Sequence, residues 1–148
     1  MYARILVPLE HTPFDDTIIE HVRKLAKLCG STIVFIHVAD GFAARNIKAL
    51  DLRESEEMQE DRAYIEHVCA TFTTEGFDAD CILATGDPGE EIAAAAEREK
   101  CDLIAMATHG HRFLNDLVRG SVASEVRHRS EVPVLLVRAH PGHHSKAT

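Results

Sequence analysis

"FDADCILATGDPGEEIAAAAEREKCDLIAMATH" occupies residues 77–109. Residues 77–86 alternate as a strand does, and residues 101–109 carry a second strand signature. Between them lies clear helix-start chemistry: Asp87 as cap, Pro88 at the first helical position and Glu90 closing a capping box. A strand, a helix and a strand in succession form the unit in which a covering helix carries the chain between two parallel strands.

The same alternation extends in both directions. "ARILVPLE" (3–10) is a short apolar run ended by Pro8 and a polar turn, as a buried parallel strand is. "DDTIIEHVRKLAKLCG" (15–30) opens on Asp15 and Asp16, spaces Ile18, Ile19, Val22, Leu25, Ala26 and Leu28 helically, and stops at Gly30. "STIVFIHVAD" (31–40) repeats the strand pattern, and the polar stretch after it leads into a long helix ending near Gly76. Residues 117–130 contain a fourth helix and residues 132–139 a fifth strand. The expected architecture is α/β, a five-stranded parallel sheet with helices on both faces. Residues 1–140 form one domain in this reading, and residues 141–148 a flexible tail.

Composition bounds the function. A chain of 148 residues fits one domain. Its 16 Lys+Arg against 24 Asp+Glu leave a net charge of −8, which opposes general attraction to nucleic acid or anionic lipid. Cys29, Cys69, Cys81 and Cys101 show no CxxC pair and no zinc-like spacing, and read as reduced core thiols. The amino-terminal segment has no signal-peptide pattern, and no stretch approaches the roughly 20 apolar residues that span a bilayer. A soluble cytoplasmic protein is expected, with no nucleic-acid or membrane partner and no protein-held metal.

Ligands of such sheets bind beyond the carboxyl ends of the strands, where strand order reverses. There "ATHGHRFLNDLVRGS" (107–121) begins, with nine residues between Gly110 and Gly120 and Ser121 directly after. Glycine lets backbone amides close on phosphate oxygens, and a helix starting near Gly120–Ser121–Val122 adds free N–H groups and the positive end of its dipole. Arg112 and Arg119 against Asp116 make this segment locally positive. Two turn glycines flanking a helix are the plainer account of the same spacing.

The chain resembles the universal stress protein family. The nucleotide-binding members carry glycine, two residues, glycine, nine residues, glycine and then Ser or Thr between the fourth strand and the fourth helix. The matching residues here are Ala107, Gly110, Gly120 and Ser121, and the likeness extends to "ILVPLE", "IVFIHVAD", "DLIAMATHG" and "SVASEVRHRSEVPVLLVR". It implies a Rossmann-like fold of the adenine nucleotide alpha-hydrolase type that binds ATP, or ADP or AMP, with or without magnesium. By position it implies a site of Pro8, Leu9, Glu10, Val38, Met106, Ala107, His109, Gly110, Arg112, Gly120, Ser121 and Val122. Two positions depart from the family: Glu10 is one methylene longer than the usual Asp, and Ala107 replaces the first glycine. Ala at 107 costs nothing if φ there is negative, and about 1 kcal/mol if positive. The resemblance also implies a homodimer through strand 132–139, whose Pro133 favours a strand start or a sheet edge.

Other constellations carry less. His109 and His111 in "THGH" follow the fourth strand, whereas the histidine pair of nucleotidyltransferases follows the first. His140, His143 and His144 sit in the terminal tail without an accompanying carboxylate or Cys. His37 reads as a hydrogen-bonded histidine inside the sheet, with approach to a ligand as its alternative. No nucleophile and base can be paired, so no catalytic residue is nominated. Three readings remain open: a stress-linked regulator that binds ATP, a nucleotide-free dimeric interaction protein, and a weak ATPase.

Overall fold

The computed structural model describes residues 1–40, 47–108 and 121–139, with the backbone alone at residues 40, 47–55 and 121. In chain order the elements are β1 (Arg4–Pro8), α1 (Asp15–Cys29), β2 (Thr32–Asp40), α2 (Ile47–Thr74), β3 (Ala79–Gly86), α3 (Pro88–Arg98), β4 (Leu103–Thr108), α4 (Ser121–Arg129) and β5 (Val134–Arg138). The described strands form a five-stranded sheet in the order β3-β2-β1-β4-β5. Every pairing is parallel, with Leu6 of β1 in register with Val34 of β2 and Ile104 of β4. The expected α/β architecture is the observed one.

Alternation along each strand divides the core. Ile5 and Val7, Ile33 and Phe35, and Leu103 and Ala105 pack beneath α1 and α2 with Ile18, Val22, Ile65 and Phe72. Leu6, Val34, Ile36, Ile104 and Met106 face the other way, against Ile92, Ala95 and Ala96 of α3 and Val126 of α4. The three central strands are therefore covered on both sides, which is why their sequences are nearly continuous apolar runs. Each large side chain buried there contributes about 1.5–3 kcal/mol. The outer strands β3 and β5 are only half-buried.

Local signals act as expected at α3, where the Asp87 carboxylate accepts from the Glu90 N–H at 3.0 Å and Pro88 opens the helix. The Glu90 carboxylate itself lies 3.7 Å from Arg129 Nη2 on α4. Gly30 ends α1 in the left-handed conformation at φ 71, donating its N–H to the Ala26 carbonyl at 2.8 Å. The other end of α1 starts at Asp15, with Asp15 and Asp16 in its first turn as expected. The N-cap is Phe14, whose side chain has no acceptor to cap with, and the Asp15 carboxylate turns back toward the preceding turn.

Candidate functional site

Strand order reverses between β1 and β4, and a cavity of about 190 Å³ opens at the carboxyl ends of β1, β2 and β4. Pro8, Leu9 and Glu10 line it from the end of β1, Val38 from β2, Met106 and Ala107 from β4, and Val122 from α4. All seven are among the positions the family resemblance implied. The structure adds Ile36 of β2, Asp15 of α1, and Pro88 and Ile92 of α3, and also brings in His37 of β2, whose approach to a ligand was the alternative expectation. Ile36 and Val38 share the face that packs against α3, so period-two alternation was a usable signal for Ile36. Nothing local in the sequence places the start of α3 over this crevice.

The turn after β1 is organised by one carboxylate. Asp15, 2 % exposed, accepts from the N–H groups of Glu10 at 2.9 Å, His11 at 2.7 Å and Thr12 at 3.3 Å. His11 adopts φ 66 within this turn, and the successive amides form a concave donor set of the kind that holds anions. The anion held here is the protein's own. Leu9 is equally engaged: its N–H donates to the Ile36 carbonyl at 2.8 Å, and its carbonyl accepts from His37 Nδ1 at 2.9 Å. A carbonyl only accepts, so Nδ1 of His37 is a donor there. The residue is both a hydrogen-bonded histidine of the sheet and a wall of the cavity.

A polar chain ties this turn to α2. His37 Nε2 lies 3.3 Å from Asp61 Oδ2, and His11 Nδ1 lies 2.8 Å from Asp61 Oδ1. The His11 ring stacks on Tyr64 with centroids 4.1 Å apart, and the Tyr64 hydroxyl donates to Asp15 Oδ2 at 2.7 Å. Burial, followed by the Asp15 carboxylate, pushes the Tyr64 phenol well above its ordinary range, so it remains a donor. Asp61, Tyr64 and His11 were not expected from the sequence, because their partners lie far along the chain.

Ala107 does not have a positive φ. It lies within β4, and the positive-φ non-glycine residues described are Tyr2, His11 and Lys100. Ala107 therefore needs no glycine. Ser121 begins α4, as the sequence implied, and its side chain lies outside the described residues. So do His109, Gly110, Arg112 and Gly120, together with His111, Asp116, Arg119 and the tail from residue 140. Among the described residues, no group of three or more His, Cys, Asp or Glu could hold a metal. No helix there is long and apolar enough to cross a membrane.

Comparison with known proteins places this geometry in a family context. A family model described as the universal stress protein family matches residues 1–138. Universal stress protein MJ0577 of Methanocaldococcus jannaschii is 28 % identical, over 93 % of this chain and 96 % of its own. The solved structure of MJ0577 superposes with a TM-score of 0.80 at 29 % identity, covering 95 % of this chain and 98 % of that one. Two more distant structures share the fold. A universal stress protein solved in complex with cAMP has a TM-score of 0.69 at 17 % identity, covering 93 % of this chain and 97 % of its own. The universal stress protein from Archaeoglobus fulgidus in complex with dAMP has a TM-score of 0.64 at 19 % identity, covering 92 % and 98 %.

Proposed function

The chain belongs to the universal stress protein family, and from that premise we propose that it binds an adenine nucleotide, ATP foremost, in the cavity between β1 and β4. The observation that carries this reading is the convergence on one cavity, at the switch point, of Pro8, Leu9, Glu10, Val38, Met106, Ala107 and Val122. Val38, Met106 and Val122 offer apolar walls for a flat base. The cAMP and dAMP complexes of related folds support an adenine nucleotide as the ligand class.

Charge orients the ligand. Glu10 and Asp15 make the β1 side of the cavity acidic, which disfavours phosphate there. The start of α4 at Ser121 offers free N–H groups and the positive dipole end. The phosphates therefore extend toward Gly120, Ser121 and Val122, with His109, Gly110 and Arg112 as their further contacts, and magnesium enters as a phosphate-bound ion. The protein acts in the cytoplasm as a stress-linked regulator and any hydrolysis is slow. It pairs as a homodimer through residues 132–139: β5 is an outer strand, and its Leu136 is 43 % exposed.

A nucleotide-free interaction protein is the second reading, favoured by the Asp15 carboxylate that already takes up the amides of Glu10, His11 and Thr12. Melting with ATP, ADP and AMP separates the two. A nucleotide at about 100 times its Kd raises the melting temperature by roughly 5 °C or more. An unmoved melting temperature at millimolar concentrations of all three, with no adenine nucleotide released on denaturing the purified protein, overturns the nucleotide reading. Turnover measured with and without magnesium tests the ATPase alternative.

A further inference from the structure

Asp61 of α2 stands between two histidine rings carried by other parts of the fold. Its Oδ1 lies 2.8 Å from His11 Nδ1 and its Oδ2 lies 3.3 Å from His37 Nε2, while the two rings meet edge-on with centroids 6.4 Å apart. His37 Nδ1 faces a further acceptor, the Leu9 carbonyl, at 2.9 Å. Three ring nitrogens therefore face three acceptor oxygens. Two neutral imidazoles carry only two N–H groups between them, so one nitrogen would present a lone pair to an oxygen. His11 meets its contact as a neutral ring protonated on Nδ1. His37, with acceptors on both sides, meets both of its contacts only when both nitrogens carry a proton.

We propose that Asp61 is a positioning residue that clamps the cavity wall through a doubly protonated His37, and that loss of this proton releases the clamp and weakens nucleotide binding. The coupling rests on the nucleotide reading above. His37 lines the cavity, and its bond to Leu9 holds the end of β1 in the same wall. A proton on Nε2 joins that wall to α2 and sets a positive charge beside a site for an anion. Without it two acceptors stand 3.3 Å apart and repel.

The ring's surroundings come from several elements. Among the described residues, Asp61 faces it from α2 and His11 from the turn after β1, with Tyr64 of α2 stacked behind His11. Glu10 and Asp15 share the cavity with it. Its β3 neighbour in register, Leu83, carries no charge, and neither do Pro88 and Ile92 of α3 across the cavity.

The first test needs no ligand: magnetic resonance of the ring nitrogens in the full chain, with isotope-labelled histidine and His37 assigned through its backbone. Both His37 nitrogens are expected to be protonated near about pH 6 and only one near about pH 8, the range in which histidines change charge. In Asp61→Asn the amide donates to Nε2 in place of the proton, and the ring carries one proton throughout. ATP affinity, measured by calorimetry, then falls about tenfold more across that range in the unsubstituted chain than in Asp61→Asn. Titration of the nucleotide itself is common to both proteins and cancels. A His37 that carries a single proton near about pH 6 overturns the clamp. A doubly protonated His37 with the same pH profile of affinity in both proteins overturns the coupling. Failure of ATP to bind at any pH sinks the nucleotide reading and the coupling together, while the ring signals still decide the clamp.

Discussion

Tyr64 donates to Asp15 across 2.7 Å, joining residues 49 positions apart and tying helix α2 to the turn after the first strand. Asp15 is the hub of that turn, since the same carboxylate accepts from the amides of Glu10, His11 and Thr12. The shape of the cavity's β1 side therefore depends on Tyr64, which is not among the described residues that line it.

Removing the two partners gives graded losses. Tyr64→Phe deletes one hydrogen bond to a charged acceptor and lowers unfolding free energy by about 1–2 kcal/mol, while Asp15→Ala strands several amides at once and costs about 3 kcal/mol. Urea unfolding measures both, and equal losses would mean that the amides find other acceptors.

Ala107→Gly leaves nucleotide affinity unchanged within about twofold, because residue 107 already has a φ open to any residue. It lowers stability by about 1 kcal/mol through backbone entropy in the strand. Calorimetric titration of both proteins checks this, and a large gain in affinity for the glycine variant would contradict it.

Asp102 gives the fold an acid-sensitive joint. Its carboxylate accepts from the N–H of Ala3 at 2.9 Å and of Arg4 at 3.0 Å. Desolvation works to raise its pKa, but these backbone hydrogen bonds outweigh it, and the carboxyl is held below the ordinary Asp value. A depressed folded pKa contributes stability that is present above the unfolded value of about 4 and is lost as pH falls through the folded one. Asp102→Asn is therefore less stable than the parent at pH 7, and the gap closes on acidification below about pH 4. Melting curves across that range provide the measurement, and a gap independent of pH would exclude the carboxylate as its source.

Asp87→Ala removes the cap that holds the start of α3 and lowers stability by about 1 kcal/mol. Asp87→Asn retains a capping oxygen and loses only a few tenths of that amount. Chemical denaturation of the pair distinguishes capping from a general charge effect.

The contrast between Asp87 and Asp15 shows where sequence reading succeeds. Asp87 bonds an amide three positions away, within reach of a local pattern, and the Pro88 and Glu90 beside it point the same way. Asp15 stands at a helix start too, yet its carboxylate turns back to the preceding turn and out to Tyr64. Val38, Met106 and Val122 were named because the family resemblance implied them by position, and the structure puts all three on the cavity. Pro88 and Ile92 were not named, because only the packed sheet decides which crevice the end of α3 overlies.

The βαβ alternation, the buried central strands, the Asp87 cap and the Gly30 stop could be read from the residues alone, since they rest on hydrophobic period and on bonds a few residues long. Only packing of the whole chain set the β3-β2-β1-β4-β5 order, the company of His37 and Asp61, and the bond of Tyr64 to Asp15. Those relationships join segments whose separation along the chain is closed only by burying both faces of one sheet, so no local pattern encodes them.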